Sequence, residues 1–199
     1  MKIKLILESE NQKFITMKNR IFLLTVLASF LVITGCEKIK NLADVEFDAD
    51  YSADIDVTIA PDEKSALKAT QNYTFNESET IDPNSNSDFD KYADKIKDVE
   101  VKSVTAEVIS INKEVTLTAT TLEIFSDNHS ASWYFEEKVV NVGTSLSLQQ
   151  DDAKLTAMEK IIDEREPFTV SVRGESSKDD VQMTIRVTVK TKITANPLD

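Results

Sequence analysis

The chain has 199 residues, enough for one ordinary domain or two small ones. Its hydrophobic fraction is 41% and is dominated by Val, Ile and Leu, so a packed core is expected and disorder is not. A formal charge of −12 argues against nucleic acid as a partner, and a single cysteine excludes an internal disulfide framework or a multi-cysteine metal cage.

Residues 21–32, IFLLTVLASFLV, form an apolar run interrupted only by Thr25 and Ser29. Twelve helical residues span roughly 18 Å, well short of a hydrocarbon core of about 30 Å. Lys18 and Arg20 precede the run, as the positive n-region of a signal peptide requires. The tetrapeptide that follows, Ile33-Thr34-Gly35-Cys36, resembles the lipobox of bacterial lipoproteins. That resemblance covers residues 17–36 and implies three steps: a diacylglyceryl group on the Cys36 thiol, cleavage before Cys36, and acylation of the new amine. Residues 1–35 then read as signal peptide, with Met17 as its expected start and residues 1–16 as an over-extension. Because residues 1–35 carry five basic and two acidic side chains, their removal takes the charge from −12 to −15. Glu37 stands where an inner-membrane retention signal of the enterobacterial type would have aspartate, so the resemblance implies the outer membrane, on an undetermined face. Residues 36–44 form a lipidated tether, and the eight residues after Cys36 reach at most roughly 28 Å. With more than one acyl chain, each buried CH₂ contributing about 0.8 kcal/mol, the membrane is held stably.

From Val45 the chain alternates. Val45, Phe47, Ala49, Tyr51, Ala53, Ile55, Val57 and Ile59 are apolar, while Glu46, Asp48, Asp50, Ser52, Asp54, Asp56 and Thr58 lie between them. Period two over fifteen residues predicts one long half-buried strand, or two in line, ended by Pro61. A second strand is expected over Leu67–Phe75, followed by a polar loop at 76–87. Ser87 and Asp90 have the spacing of a capping box, which predicts a short helix presenting Phe89, Tyr92 and Ile96. Val99–Ile111 is a strand whose apolar phase slips by one near Ser103, the mark of a bulge. Val115–Phe125 and Ala131–Val142 are strands joined by the turn SDNHS. Leu155, Met158, Ile161 and Ile162 recur at helical spacing behind Asp151 and Asp152, and Pro167 closes that helix. Strands over Phe168–Arg173 and Val181–Ala195 finish the chain.

Seven or eight strands, two short helices and no βαβ unit point to one mainly-β domain over residues 45–199: an antiparallel β-sandwich, immunoglobulin-like in the broad sense. Arg186, Lys190 and Lys192 on the last strand mirror the acidic residues of the first, so the two are expected to pair.

Few groups suggest chemistry. Asp82, Asn84, Asn86, Asp88 and Asp90 alternate like the front of an EF-hand loop, although Ser87 and Ala93 stand where that motif needs glycine and glutamate. They remain candidates for a looser calcium site. His129, the single histidine, has Ser126, Asp127 and Ser130 nearby, but closeness in a turn is not triad geometry. One histidine without a usable thiol makes zinc implausible. Trp133 and Phe135 are placed on the core face with Tyr134 outward, a poor sugar platform. The sequence therefore favours a non-catalytic, membrane-anchored binding or structural module with an unidentified partner. The alternatives are a glycan- or calcium-binding surface lipoprotein and, third, a carboxylate-dependent hydrolase.

Overall fold

In the computed structural model, residues 44–61 and 72–198 are described. Cys36, the signal segment, the tether before Asp44 and residues 67–71 of the expected second strand lie outside them. The elements below belong to one unit, Val45–Pro197; of the described residues the other unit holds only Asp44 and Leu198.

The first strand, β1 (Val45–Ile59), is a single unbroken strand in which the odd positions from Ala49 to Ile59 are buried and the acidic positions are exposed. It pairs antiparallel along its whole length with the last strand, β8 (Val181–Ala195), from Val45↔Ala195 to Ile59↔Val181. The remaining elements are β2 (Tyr73–Ile81), α1 (Ser87–Tyr92), β3 (Ile96–Ile111), β4 (Val115–Phe125), β5 (Ser130–Val140), β6 (Ser145–Leu146), α2 (Asp152–Asp163) and β7 (Phe168–Ser176). Two four-stranded antiparallel sheets result, ordered β1-β8-β3-β6 and β2-β7-β4-β5. The expected two-sheet sandwich is present, and its strand order further specifies it as a jelly roll of two interleaved Greek keys.

Ile96, expected on the face of the short helix, instead opens β3, because that helix ends at Tyr92, and β5 ends at Val140 rather than Val142. Four further elements differ from expectation. Strand β2 continues through residues 76–81, read from the sequence as loop, because it is an edge strand. Its outward Asn76, Ser78 and Thr80 meet water while its backbone pairs with β7, from Tyr73↔Ser176 to Ile81↔Phe168. The cap of α1 is Asn86 rather than Ser87: the Asn86 side-chain oxygen accepts from the N–H groups of Asp88 and Phe89. Strand β7 runs three residues beyond Arg173, where Gly174 lets β4 approach: a Cβ there would lie 2.6 Å from Thr120 Oγ1 and 2.9 Å from Thr120 Cα. That close contact comes from a bulge in β4, where Ala119 takes φ 48° and the buried positions switch from Val115 and Leu117 to Leu122 and Ile124. The fourth is β6, a two-residue strand that no apolar alternation announces. The bulge expected near Ser103 is present, as a register shift between Val101 and Ser103.

Strand β6 covers β3 only at Ala106 and Glu107. Side chains finish that edge. Gln150 donates its amide to the Val104 carbonyl (2.8 Å) and accepts from the Val104 N–H (3.0 Å), and Glu159 of α2 accepts from the Val101 N–H (3.3 Å). These contacts occupy edge groups of β3 that would otherwise be open to another chain. Helix α2 is fixed by Met158, Ile161 and Ile162, all fully buried, and packs on β3 and β5.

In the core, Tyr51 stands edge-on to both Phe89 and Phe168, with ring centroids 6.1 and 6.3 Å away. Its hydroxyl is buried without a hydrogen-bond partner, and burial pushes the phenol well above the ordinary tyrosine range. Replacing Tyr51 by Phe keeps the ring contacts and removes that unmet group. Urea unfolding should show Tyr51→Phe gaining up to about 1 kcal/mol; a loss of similar size would mean that the hydroxyl is bonded in solution.

Candidate functional site

The strand order places the connections at two opposite ends. The turns after β3, β5 and β7 share one end, where those after β3 and β7 are linked by Asn112 Nδ2 donating to the Asp180 carbonyl (3.0 Å) and Lys178 Nζ to the Glu114 carbonyl (2.7 Å). At the other end lie the segment 82–95, the β4–β5 turn, the C-terminal end of α2, the start of β1 and the end of β8. Every residue that the sequence suggests for ion binding or catalysis falls at this second end.

Asp82, Asn84, Asn86, Asp88 and Asp90 do not converge as ligands. The Asp82 carboxylate accepts from both the backbone N–H (2.9 Å) and the side-chain amide (3.0 Å) of Asn84, capping a 3₁₀ turn over Pro83–Ser85. Asn84 also donates to the Arg165 carbonyl at 3.0 Å, tying this segment to the residues that follow α2. Asn86 caps α1, while Asp88 and Asp90 occupy its first turn, where the helix dipole favours them. The alternation that resembles an ion-binding loop is thus used for two successive caps. Among the described residues, no group of three or more His, Cys, Asp or Glu side chains could hold a metal ion.

A cluster of mixed polar groups joins the β4–β5 turn to Glu164, the C-cap of α2. Glu164 Oε1 accepts from Asn128 Nδ2 at 3.0 Å and lies 3.7 Å from His129 Nε2. The Ser126 hydroxyl, then the Asn128 amide and the nearby imidazole, hold the Glu164 carboxyl below the usual carboxylate range, against the opposing effect of burial. Ser126 Oγ accepts from the His129 backbone N–H (3.3 Å), and the turn closes through the Ser126 N–H to the His129 carbonyl (2.9 Å). Serine, carboxylate and histidine are therefore gathered, but Ser126 Oγ meets the backbone N–H of His129 rather than its imidazole, whereas nucleophilic catalysis needs the imidazole on the hydroxyl. The arrangement fastens a turn to a helix end, where a carboxylate opposes the dipole and needs these donors. A shallow concavity beside it is lined by Ser126, Asp127, Asn128, Glu164, Glu166 and Pro167. Asp127 and Ser130, picked out by nearness alone, are exposed and make no contact with the imidazole.

The aromatic trio is distributed as its alternation predicts. Trp133 is buried and donates its indole N–H to the Gln149 carbonyl at 3.0 Å, Phe135 packs on the core edge, and Tyr134 is 64% exposed.

On the outer face of β1 the acidic residues meet the cations of β8. Asp54 and Arg186 form a two-pronged pair at 2.7 and 2.6 Å, Glu46 pairs with Lys192 at 2.6 Å, and Asp56 accepts from Thr184 at 2.7 Å. The Arg186 guanidinium holds the Asp54 carboxyl below its ordinary range. These contacts are solvated and contribute some tenths of a kcal/mol each. Sequence reasoning missed Glu164 and Gln150; their roles depend on a helix–turn contact and a strand edge that no local pattern encodes.

No family model matches the chain, and no curated protein matches it. Among solved structures it is similar to a chain of Desmodium yellow mottle tymovirus, at 10% identity, over 78% of this chain and 85% of that one, with a TM-score of 0.32. A likeness at that level does not bear on function. Among the described residues, no helix is long and apolar enough to cross a membrane.

The depressed Glu164 carboxyl has a measurable consequence. Because its folded value lies below the unfolded one, its contribution to stability is complete above the unfolded value of about 4.3 and is lost as pH falls through the folded value. The stability gap between the natural chain and Glu164→Gln should shrink as the pH falls from about 5 to below about 4. Urea titrations across that range check it, and a gap that widens on acidification would contradict it.

Proposed function

We propose that this protein is a lipid-anchored envelope lipoprotein: a non-catalytic binding or structural module held at the outer membrane through Cys36. The observation that carries this reading is the ordered signal formed by Lys18 and Arg20, the apolar run 21–32 and the box Ile33-Thr34-Gly35-Cys36. In it residues 1–35 are removed, residues 36–44 are the tether, and the jelly-roll unit from Val45 onward is the module.

The geometry of the module supports the non-catalytic part of the reading. The single histidine faces a carboxylate rather than a nucleophile. The acidic side chains most suggestive of chemistry are committed to caps and cross-strand pairs. Within the same reading, Cys36 has no redox role, because its sulfur forms a thioether to lipid. Glycan or calcium binding is left without a supporting contact: Tyr134 alone is outward among the aromatic trio, and Asp82 and Asn86 already serve as caps.

Mass spectrometry of the chain purified from its own membranes tests this directly. The expected mature N-terminus is Cys36 carrying diacylglyceryl and acyl groups, and Cys36→Ser should abolish both the lipid and flotation with membranes. A free, unmodified Cys36 in a chain that retains residues 1–35 would overturn the anchor.

A further inference from the structure

We infer that the outer face of the β2-β7-β4-β5 sheet docks a second copy of this chain, related by a half-turn about an axis running along the strands between β7 and β4. The inference goes beyond the lipid anchor and does not depend on it. It assigns a partner to the module from the described strands alone.

The strand registers stack the outward side chains of this sheet into rows. Read from β2 to β5, the two central rows are Ser78, Ser171, Glu123, Ser132 and Asn76, Arg173, Thr121, Tyr134. Tyr134 is 64% exposed and the Arg173 side chain 60%, so nothing among the described residues covers the middle of this face. Arg173 is also loosely held. Its guanidinium stands 3.8 Å from the Glu123 carboxylate, outside hydrogen-bond reach. On the outer face of the other sheet the cations are engaged within the chain, Arg186 by Asp54 at 2.6 Å and Lys192 by Glu46 at 2.6 Å, and Lys190 stands opposite Asp50. The hydroxyl-rich face therefore holds an exposed cation and an anion side by side, each free to be met from outside.

Charge complementarity selects the second copy. The half-turn lays β7 on β4 and β2 on β5 of the other copy, row upon row. Arg173 then comes over Thr121 of that copy, one row from its Glu123, and symmetry supplies the reverse contact. Neighbours on one face of a strand are about 6.8 Å apart, within the reach of a guanidinium. In the next row Glu137 comes over Thr74 and Glu175 over Thr118, so in these rows no carboxylate is laid on another. Glu136, beside Glu137, falls over the same Thr74–Asn76 stretch. The other charges of these strands point elsewhere: Glu77, Glu79 and Lys138 stand in rows opposite the buried Val172, Val170 and Leu117. Asp127 and Glu166 lie past the Phe125 row, where twisted sheets crossing at about 30° diverge. The area suffices as well. β2 and β7 have nine residues each, and four strands about 4.8 Å apart make a face of roughly 600 Å². Two such faces bury roughly 1,200 Å², the lower bound of a specific interface, which fits a reversible dimer.

Charge reversal with mixing tests the contact. Sedimentation velocity is run on the full Cys36→Ser chain in a nonionic detergent, across micromolar concentrations, where a species of twice the monomer mass is expected. Arg173→Glu places two anions against two anions across the interface, and Glu123→Arg places cations against cations. Each variant alone should weaken the dimer at least about ten-fold. Both positions are at the surface, so each should keep the cooperative urea transition of the natural chain. An equal mixture of the two variants should restore the dimer, because each copy then meets opposite charges on the other. An ion pair acting only within one chain gives no such rescue. A natural chain that stays monomeric, single variants that dimerise as the natural chain does, or a mixture that stays monomeric overturns the interface. Lipid on Cys36 plays no part in these outcomes, so each of them leaves the anchor standing.

Discussion

Pairing of β1 with β8 joins the first strand of the module to its last over fifteen consecutive register pairs, and the remaining architecture depends on it. Strand β8 is also the partner of β3, so one strand carries both neighbours of the first sheet's centre. Register is set by the buried row Ile55, Val57, Ile59 on β1 and Ile185, Val187, Val189 on β8, since a slip of one residue would turn each row toward water. The outer ladder adds selectivity: Asp54 opposite Arg186 and Ser52 opposite Thr188 fit one alignment. Burial of an aliphatic side chain contributes about 1.5–3 kcal/mol against some tenths for an exposed ion pair, so the apolar rows supply the stability and the charges refine the alignment. Such distant pairing makes the fold rich in non-local contacts, which predicts slow folding.

The strands that alternate cleanly are legible in the sequence because one of their faces is buried and the other wet. β1, β4 and β8 have the bounds that their patterns imply, and the β3 bulge is visible as a phase slip at Ser103. β2 is harder to read. Its second half, Asn76–Thr80, has no buried side chain, so it is indistinguishable from a loop until β7 is placed beside it. The β4 bulge is hidden for another reason: Ala119 takes a left-handed conformation without a glycine to announce it, and Gly174, which makes room for it, lies on a different strand. The cap of α1 lies one residue before the one its spacing implies, because Asn86 and Ser87 are both good caps and only the backbone turn selects between them.

The candidate sites show the same division. Residue types are legible, but their assignments are not. Asp82, Asn84, Asn86, Asp88 and Asp90 read as a row of oxygen ligands, yet the fold uses Asp82 and Asn86 to satisfy backbone N–H groups. His129 and Ser126 read as fragments of a triad, yet Glu164 at the end of α2 meets the Asn128 amide and stands beside the imidazole. Capping and turn fastening explain these polar residues through contacts present in the fold.

The claim on which the fold rests is the β1–β8 register, because it sets Val45 at one end and Ile59 at the other. Ser52 and Thr188 face each other on the outer surface with hydroxyls 3.1 Å apart, close enough for cysteines at those positions to approach disulfide geometry. In a Cys36→Ser background, oxidised Ser52→Cys/Thr188→Cys should crosslink fully and unfold at higher urea, while Ser52→Cys/Lys190→Cys, two residues out of register, should remain reduced. Crosslinking of the displaced pair with none in the facing pair would contradict the register and the placement of the two ends derived from it.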